Sequence, residues 1–204
     1  SLKSYNAKIA TKPDSAAHYH ALRGAAYYHL GDIERGLKDC DSAIAIDPEC
    51  FVAYHVKLNI YYTEKDVNAA KQVANAAIKR HGNSSGAWLL MSNVCEMTGD
   101  RKKQKLAIDK ALEYEPGNAL AKCYLGVWYA RQGKSKLGMS YVNKSIALDT
   151  SNPYFYYVRS TIFLDLQQWN EAIADADHAM AMESCYTEIQ FTKAEIYQLK
   201  GDYE

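Results

Sequence analysis

The pattern of apolar and polar positions between Ala17 and Cys50 predicts two short amphipathic helices joined by a tight turn at Gly31-Asp32. Apolar or small residues recur every three or four positions on both sides of this turn, the spacing that lines one face of a helix. Asp47-Pro48 ends the second helix, because proline disfavours helical geometry in the preceding residue and lacks an amide hydrogen. A helical hairpin this small cannot bury its apolar face alone and requires a similar neighbour.

Such neighbours follow at a fixed interval of 34 residues, with no insertion or deletion from Ala17 onward. One bulky position of the first helix recurs as Tyr27, Tyr61, Cys95, Tyr129, Phe163 and Tyr197. One small position of the second helix recurs as Ala43, Ala77, Ala111, Ser145 and Ala179. Self-similarity at this period is typical of a helical solenoid, so we predict an all-α fold.

The period divides the chain into full and partial repeats. Five full repeats span residues 17–50, 51–84, 85–118, 119–152 and 153–186. Residues 1–16 have the spacing of a second helix from a preceding repeat, and residues 187–204 that of the first helix of a truncated sixth repeat. Because the chain begins and ends within a repeat, we predict that it is a fragment of a longer protein.

These repeats resemble the tetratricopeptide repeat family, which has a bulky residue, Leu-Gly and Tyr in its first helix and Ala, an aromatic residue, Ala and Pro in its second. The matching positions are Gly24, Tyr27, Ala43, Pro48, Trp88, Ala111, Pro116, Leu125, Gly126, Tyr129, Tyr156, Ala172 and Ala179. Arg23, Lys57 and Arg159 stand where the family has Leu, and Gln104 stands where it has Ala. The resemblance covers residues 17–204 and implies a right-handed superhelical solenoid of antiparallel helix pairs.

The resemblance also implies that the first helices line a concave groove that binds extended or helical peptides. Inward-facing residues are expected at the second, fifth, sixth, ninth, twelfth and thirteenth positions of each repeat. The candidate peptide-binding residues are Tyr28, His55, Asn59, Tyr62, Leu89, Leu90, Asn93, Tyr124, Val127, Tyr157, Val158 and Thr161. This groove is apolar and rich in tyrosine, which predicts a ligand with apolar anchors.

Two asparagines occupy the same repeat position on successive first helices. A side-chain amide both donates and accepts hydrogen bonds, so Asn59 and Asn93 could hold an extended peptide backbone. Alternatively, each amide bonds to a neighbouring helix. The carboxylate clamp of chaperone-binding family members is absent in every frame, since only Asn59 matches its pattern, and we expect no tight binding of a C-terminal Glu-Glu-Val-Asp peptide.

A basic edge is a second candidate surface. It comprises Arg101, Lys102, Lys103 and Lys105 in the turn region of the third repeat and Lys134 and Lys136 in that of the fourth. Stacked repeats would bring these turns together as a binding surface for an acidic partner. The alternative is a solvated turn, since no aromatic residues are interleaved for stacking on bases.

Composition and charge exclude several classes of protein. The formal net charge is +0, from 24 basic and 24 acidic residues, which argues against binding nucleic acid or a membrane surface through bulk charge. The five cysteines form no paired framework, which favours reduced apolar packing residues in a cytoplasmic protein. No ligand spacing typical of zinc and no catalytic motif is present, so we expect no metal, cofactor or enzymatic activity.

The leading hypothesis is a non-enzymatic scaffold or adaptor that binds a peptide segment of a protein partner in its groove. One alternative is a chaperone or co-chaperone that holds apolar client segments. Another is the regulatory arm of an enzyme whose catalytic domain lies outside this chain. Self-association through open solenoid ends is a further possibility.

Overall fold

The computed structural model describes residues 2–182 and 187–201, without the side chains of residues 187–189 and 200. Within these ranges it is all-α, as predicted, with one 3₁₀ turn at Pro13–Ser15. The helices are Leu2–Thr11 (α1), Ala16–His29 (α2), Ile33–Ile46 (α3), Phe51–Thr63 (α4), Val67–His81 (α5), Ser85–Met97 (α6), Arg101–Tyr114 (α7), Ala119–Ala130 (α8), Ser135–Leu148 (α9), Pro153–Asp165 (α10), Trp169–Met182 (α11) and Thr187–Lys200 (α12). None of the described helices combines the length and apolar character needed to cross a membrane.

The helices form two compact units, a first unit of Ser1–Tyr114 and a second unit of Glu115–Glu204. In the first unit, each helix from α1 to α6 packs on the next, and α4 also packs on α2 and α6. In the second unit, each helix from α8 to α11 packs on the next, and α10 also packs on α8 and α12. Each unit is therefore an array of helical hairpins, the arrangement of a solenoid.

The helices begin at the interval seen in the sequence. The helices α3, α5, α7, α9 and α11 begin at Ile33, Val67, Arg101, Ser135 and Trp169, so successive starts are 34 residues apart. The helices α4, α6, α8, α10 and α12 begin at Phe51, Ser85, Ala119, Pro153 and Thr187, with the same spacing. The predicted repeat boundary at residue 186 and the last residues of the sixth repeat, 202–204, lie outside the described residues.

The predicted turn has one geometry wherever it occurs. Residues with positive φ lie 34 apart: Gly31, Lys65, Gly99, Gly133, Gln167 and Gly201. Around the first of them, the Asp32 amide donates to the Tyr27 carbonyl (2.9 Å) and the Gly31 amide to the Tyr28 carbonyl (2.9 Å), the pair of bonds that closes a helix in a Schellman motif. Lys65 and Gln167 adopt the same conformation without glycine, at φ values of 58° and 59°.

Two of the helix crossings depend on glycine pairs. A Cβ atom at Gly24 would lie 2.9 Å from the carbonyl oxygen of Gly36, which allows α2 and α3 to touch backbone to backbone. At the equivalent crossing of α8 and α9, a Cβ at Gly138 would lie 2.6 Å from the carbonyl oxygen of Gly126. These contacts explain why the first and fourth repeats carry glycine where the others have larger residues.

Basic residues at the family's leucine position make ion pairs instead of apolar contacts. The guanidinium of Arg23 binds both carboxylate oxygens of Asp39, at 2.6 Å each, and Arg159 binds Asp175 in the same way at 2.6 and 2.7 Å. Both aspartates are buried, with 6% and 7% of their surface exposed. The Lys57 ammonium bonds to Asp41, 2.5 Å away.

The burial of Asp39 corrects an expectation drawn from the local sequence. Asp39, Asp41, Asp47 and Glu49 form an acidic cluster that suggests a solvated helix face. Asp39 instead faces α2, because Arg23 and the Nδ1 atom of His20 (3.0 Å) hold its carboxylate there. The remaining three are exposed, as expected.

Candidate functional site

The second unit contains a cavity of about 630 Å³, lined by α8, α10 and α12. The lining residues are Val127, Ala130, Arg131, Tyr154, Tyr157, Val158, Thr161, Ile162, Leu164, Asp165, Thr192 and Glu195. All three helices are first helices of their repeats. The volume is within the range of pockets that hold ligands, and the lining combines apolar side chains with a few polar groups.

One face of α10 lines the cavity, and Val158 and Ile162 belong both to this lining and to the core. Tyr154, Tyr157, Thr161 and Asp165 follow one another at spacings of three and four residues, so they share the face that lines the cavity. Phe155 points into the core, where it packs with residues such as Cys123 and Val142. The core contacts on one side therefore fix the orientation of the cavity face on the other.

Two carboxylates, Asp165 and Glu195, add acidic groups to an otherwise largely apolar cavity lining. Burial raises the pKa of Asp165, and the charge of Glu195 on α12 raises it further. Arg131 is the basic residue among those that line the cavity, and it already takes part in an interaction. Two acidic side chains thus lie along a cavity whose walls include tyrosines and aliphatic residues.

Curated relatives match the chain at low identity, and no family model matches it. DnaJ homolog subfamily C member 7 homolog of Schizosaccharomyces pombe is 22% identical over 166 residues, which cover 74% of this chain and 35% of that protein. The human mitochondrial import receptor subunit TOM70 is 24% identical over 203 residues, 92% of this chain and 33% of the receptor. The chain thus spans about a third of the length of these relatives.

Solved structures give the fold. A tetratricopeptide repeat protein from Parabacteroides merdae ATCC 43184 superimposes with a TM-score of 0.77 at 18% identity, covering 96% of this chain and 76% of that one. The chain therefore has the fold of a tetratricopeptide repeat solenoid. The first such domain of Spaghetti (RPAP3), bound to the HSP90 peptide SRMEEVD, covers 58% of this chain and 94% of its own at a TM-score of 0.52 and 20% identity.

Four of the residues predicted to face the groove lie close together in the second unit. Val127, Tyr157, Val158 and Thr161 all line the cavity. Val158 contributes little surface, since it is 4% exposed. Tyr124 does not line the cavity, and its ring packs edge-on against that of Tyr154, with centroids 6.4 Å apart.

Two predicted groove residues of the first unit are part of its core. Leu89 is 5% exposed and Leu90 is 2% exposed. Leu90 packs in a cluster that includes Leu58 and Val94. The sixth position of the repeat is also buried at Val56, so in the first unit Val56 and Leu90 pack between neighbouring helices.

The other predicted residues of the first unit stay at least partly open. Tyr28 donates to or accepts from the Thr63 hydroxyl at 2.6 Å, which ties α2 to α4, and Tyr62 is 39% exposed. His55 reaches solvent, yet the surrounding protein lowers its pKa by desolvation. Asn59 and Asn93 are both half-buried.

The amides of Asn59 and Asn93 do not hydrogen-bond to another of the described side chains or backbones. The alternative that each amide satisfies a neighbouring helix therefore finds no support among residues 2–182 and 187–201. Their predicted role in holding a peptide backbone stays a prediction.

Two lysines of the basic edge form ion pairs with neighbouring aspartates. Arg101, Lys102 and Lys103 are exposed, and Lys103 pairs with Asp100 at 2.9 Å. Lys105 pairs with Asp109 at 2.6 Å. Lys134 and Lys136 are exposed on the second unit. A patch shared by all six residues stays a prediction.

The cavity uses residues that the candidate set omits. Tyr154, Leu164 and Asp165 occupy the second, twelfth and thirteenth positions of the fifth repeat, so the positional rule points to them. Thr192 and Glu195 lie at the sixth and ninth positions of the partial sixth repeat, to which the same rule extends. In the described part of the chain, no three His, Cys, Asp or Glu side chains form a group able to hold a metal ion.

Proposed function

We propose that this protein is a non-enzymatic adaptor that binds a peptide segment of a partner protein in the cavity of its second unit. The observation that carries the proposal is the cavity itself, whose lining residues, apart from Ile162, occupy the repeat positions expected to face a ligand. Tyr157, Val127 and Leu164 supply apolar surface for an anchor side chain. The Thr161 hydroxyl donates to the Val158 carbonyl at 2.8 Å and can still accept a hydrogen bond from a ligand.

Similar proteins support the use of this fold for binding proteins and peptides. The Spaghetti domain is seen with a peptide of HSP90, and TOM70 is a receptor subunit. The DnaJ relative gives some weight to the chaperone alternative, in which many apolar client segments bind in place of one defined motif. The two alternatives predict different ligand sets for the same cavity.

The test is selection of ligands from a phage-displayed library of random 12-residue peptides, followed by affinity measurements on synthetic copies. The variant Leu164→Glu places a charge on the cavity wall. The matched control is Leu148→Glu, on the outer helix α9, where the native side chain is 52% exposed. Circular dichroism confirms that both variants fold.

We expect selected peptides to bind the wild type and Leu148→Glu alike and to lose binding to Leu164→Glu. A single shared motif would favour the adaptor, whereas many unrelated apolar peptides would favour the chaperone. The HSP90 peptide SRMEEVD serves as a negative control, because the clamp residues that would hold its terminal carboxylate are absent. If no selected peptide distinguishes the two variants, the cavity is not the binding site.

A further inference from the structure

We propose that the cavity of the second unit recognises a cationic side chain, Lys or Arg, adjacent to an apolar anchor in its peptide ligand. This inference rests on the proposed function and deepens it, since it states the chemistry of the ligand. It follows from two features of the lining, the two carboxylates and the tyrosine rings.

The carboxylates of Asp165 and Glu195 lie on facing helices, α10 and α12. Burial and the charge of Glu195 each raise the pKa of Asp165, so both effects disfavour its ionised form. A cation between the two helices would remove this penalty, because it attracts both carboxylates and screens their mutual repulsion. Elsewhere in the chain, a buried aspartate such as Asp175 already has an arginine partner from its own fold.

The tyrosine rings provide a second attraction for a cation. Tyr154 and Tyr157 line the cavity with ring centroids 6.3 Å apart, on the same helix as Asp165. The face of an aromatic ring carries negative electrostatic potential and attracts ammonium and guanidinium groups. The aliphatic stem of a lysine or arginine would also bury apolar surface against these rings.

Arg131 does not remove the need for a ligand cation. It follows α8 directly, lines the cavity and takes part in an interaction of its own. The shift in the pKa of Asp165 arises from burial and from Glu195, with no basic group among its causes. An acidic peptide would meet two like charges here, so charge complementarity favours a basic ligand.

The experiment uses peptides selected on the wild-type chain and the variant Asp165→Asn/Glu195→Gln, which removes both charges and preserves side-chain size. The control Glu115→Gln/Glu171→Gln removes two exposed charges of the same unit away from the cavity. Each peptide is also made with its Lys or Arg replaced by Gln. Affinities are measured at low and at high salt.

We expect Lys or Arg to be enriched at one position of the selected peptides. The cavity variant should bind them about fivefold to tenfold more weakly and should no longer distinguish the Gln peptides, whereas the control should match the wild type. Added salt should weaken binding to the wild type more than to the cavity variant.

The inference fails if peptides bind in a manner that Leu164→Glu abolishes but show no basic enrichment and no loss in Asp165→Asn/Glu195→Gln. That outcome would leave the peptide-binding proposal intact. If Leu164→Glu does not affect any selected peptide, the proposed function fails as well, and both ideas are overturned.

Discussion

Two aspartates, one in each unit, have pKa values shifted in opposite directions. At the crossing of α2 and α3, burial alone would raise the pKa of Asp39, but hydrogen bonds from Arg23 and His20 outweigh it, and the pKa is lowered. In the cavity of the second unit, burial and Glu195 act in the same direction on Asp165, and its pKa is raised. The two carboxylates differ in whether the fold supplies a positive partner.

The opposite pKa shifts distinguish Asp39, whose charge is part of the fold, from Asp165, whose charge can interact with a ligand. Asp39 accepts hydrogen bonds from Arg23 and also bonds to His20, and the pair lies beside the close contact of Gly24 with Gly36. Asp165 is exposed in an open cavity and gains nothing from its neighbour Glu195. Perturbed carboxylates without a structural partner tend to occur at functional sites.

Among these changes, removing Arg23, the partner of Asp39, should lower the free energy of unfolding most. We expect Arg23→Ala to lower the free energy of unfolding by about 3 kcal/mol, because it leaves the buried Asp39 carboxylate without its bidentate partner. Urea unfolding followed by circular dichroism measures the loss. Arg35→Ala is the matched control, since Arg35 forms an exposed pair with Asp32 that contributes at most about 1 kcal/mol. Equal losses in both variants would show that Asp39 does not depend on Arg23.

The glycine contact beside Asp39 should be the next most sensitive point. A Cβ at Gly24 would lie 2.9 Å from the Gly36 carbonyl oxygen and 3.2 Å from Cys40 Sγ. We expect Gly24→Ala to cost about 1–2 kcal/mol, because the strain of separating two helices exceeds the gain in helix propensity. Gly117→Ala, where no atom lies within 4 Å of the new Cβ, should leave the thermal midpoint almost unchanged. A stable Gly24→Ala protein would mean that the crossing is loose.

The pH dependence of stability should carry the signature of Asp39. Its pKa is lower in the folded protein than in the unfolded chain, so its ion pair stabilises fully above the unfolded value of about 4. This contribution is lost as the pH falls through the folded-state pKa. Comparison of wild type and Asp39→Asn by urea unfolding should show a difference at neutral pH that shrinks below about pH 4. A constant difference would contradict the ion-pair account.

Asp165→Asn should have the smallest effect on stability, and with the opposite sign. Because the pKa of Asp165 is raised on folding, its ionisation at neutral pH opposes folding. Neutral asparagine removes that opposition, so we expect stability at pH 7 to rise slightly, by less than about 0.5 kcal/mol. Thermal unfolding at pH 7 tests the sign. A clear loss of stability would show that Asp165 has a structural partner.

The fold follows from the sequence because every repeat obeys the same local rules. The turn at Gly31 recurs with the same left-handed conformation at Lys65 and Gln167, although neither is glycine. Only an interval of 34 residues, not residue identity, marks those two turns. Tertiary packing of the flanking helices imposes the conformation there, which a single-position reading would miss.

The buried ion pairs could also be predicted from the sequence, but only by comparing one repeat with another. Arg23 and Asp39 are 16 residues apart, and Arg159 and Asp175 repeat that spacing four periods later. Viewed singly, Asp39 belongs to an acidic cluster that suggests a solvated face. The recurrence of opposite charges at one spacing was the signal that could have revealed its burial.

The candidate site was predictable by position but not by burial. Val127 and Thr161 line the cavity, whereas Leu89 and Leu90 fill the core of the first unit. Repeat position specifies which way a side chain points. Whether it then meets a neighbouring helix or open space depends on how closely adjacent repeats pack, and sequence periodicity does not encode that distance.

The most direct test of the account is the pKa of Asp165 and of Asp39, measured in one sample by NMR titration of ¹³C-labelled carboxylates. We predict that Asp165 titrates above and Asp39 below the usual range of aspartate, and that a selected basic peptide lowers the pKa of Asp165 without changing that of Asp39. If Asp165 titrates as low as Asp39, or if a peptide that binds leaves its pKa unchanged, the cavity carboxylates are not a cation-binding site.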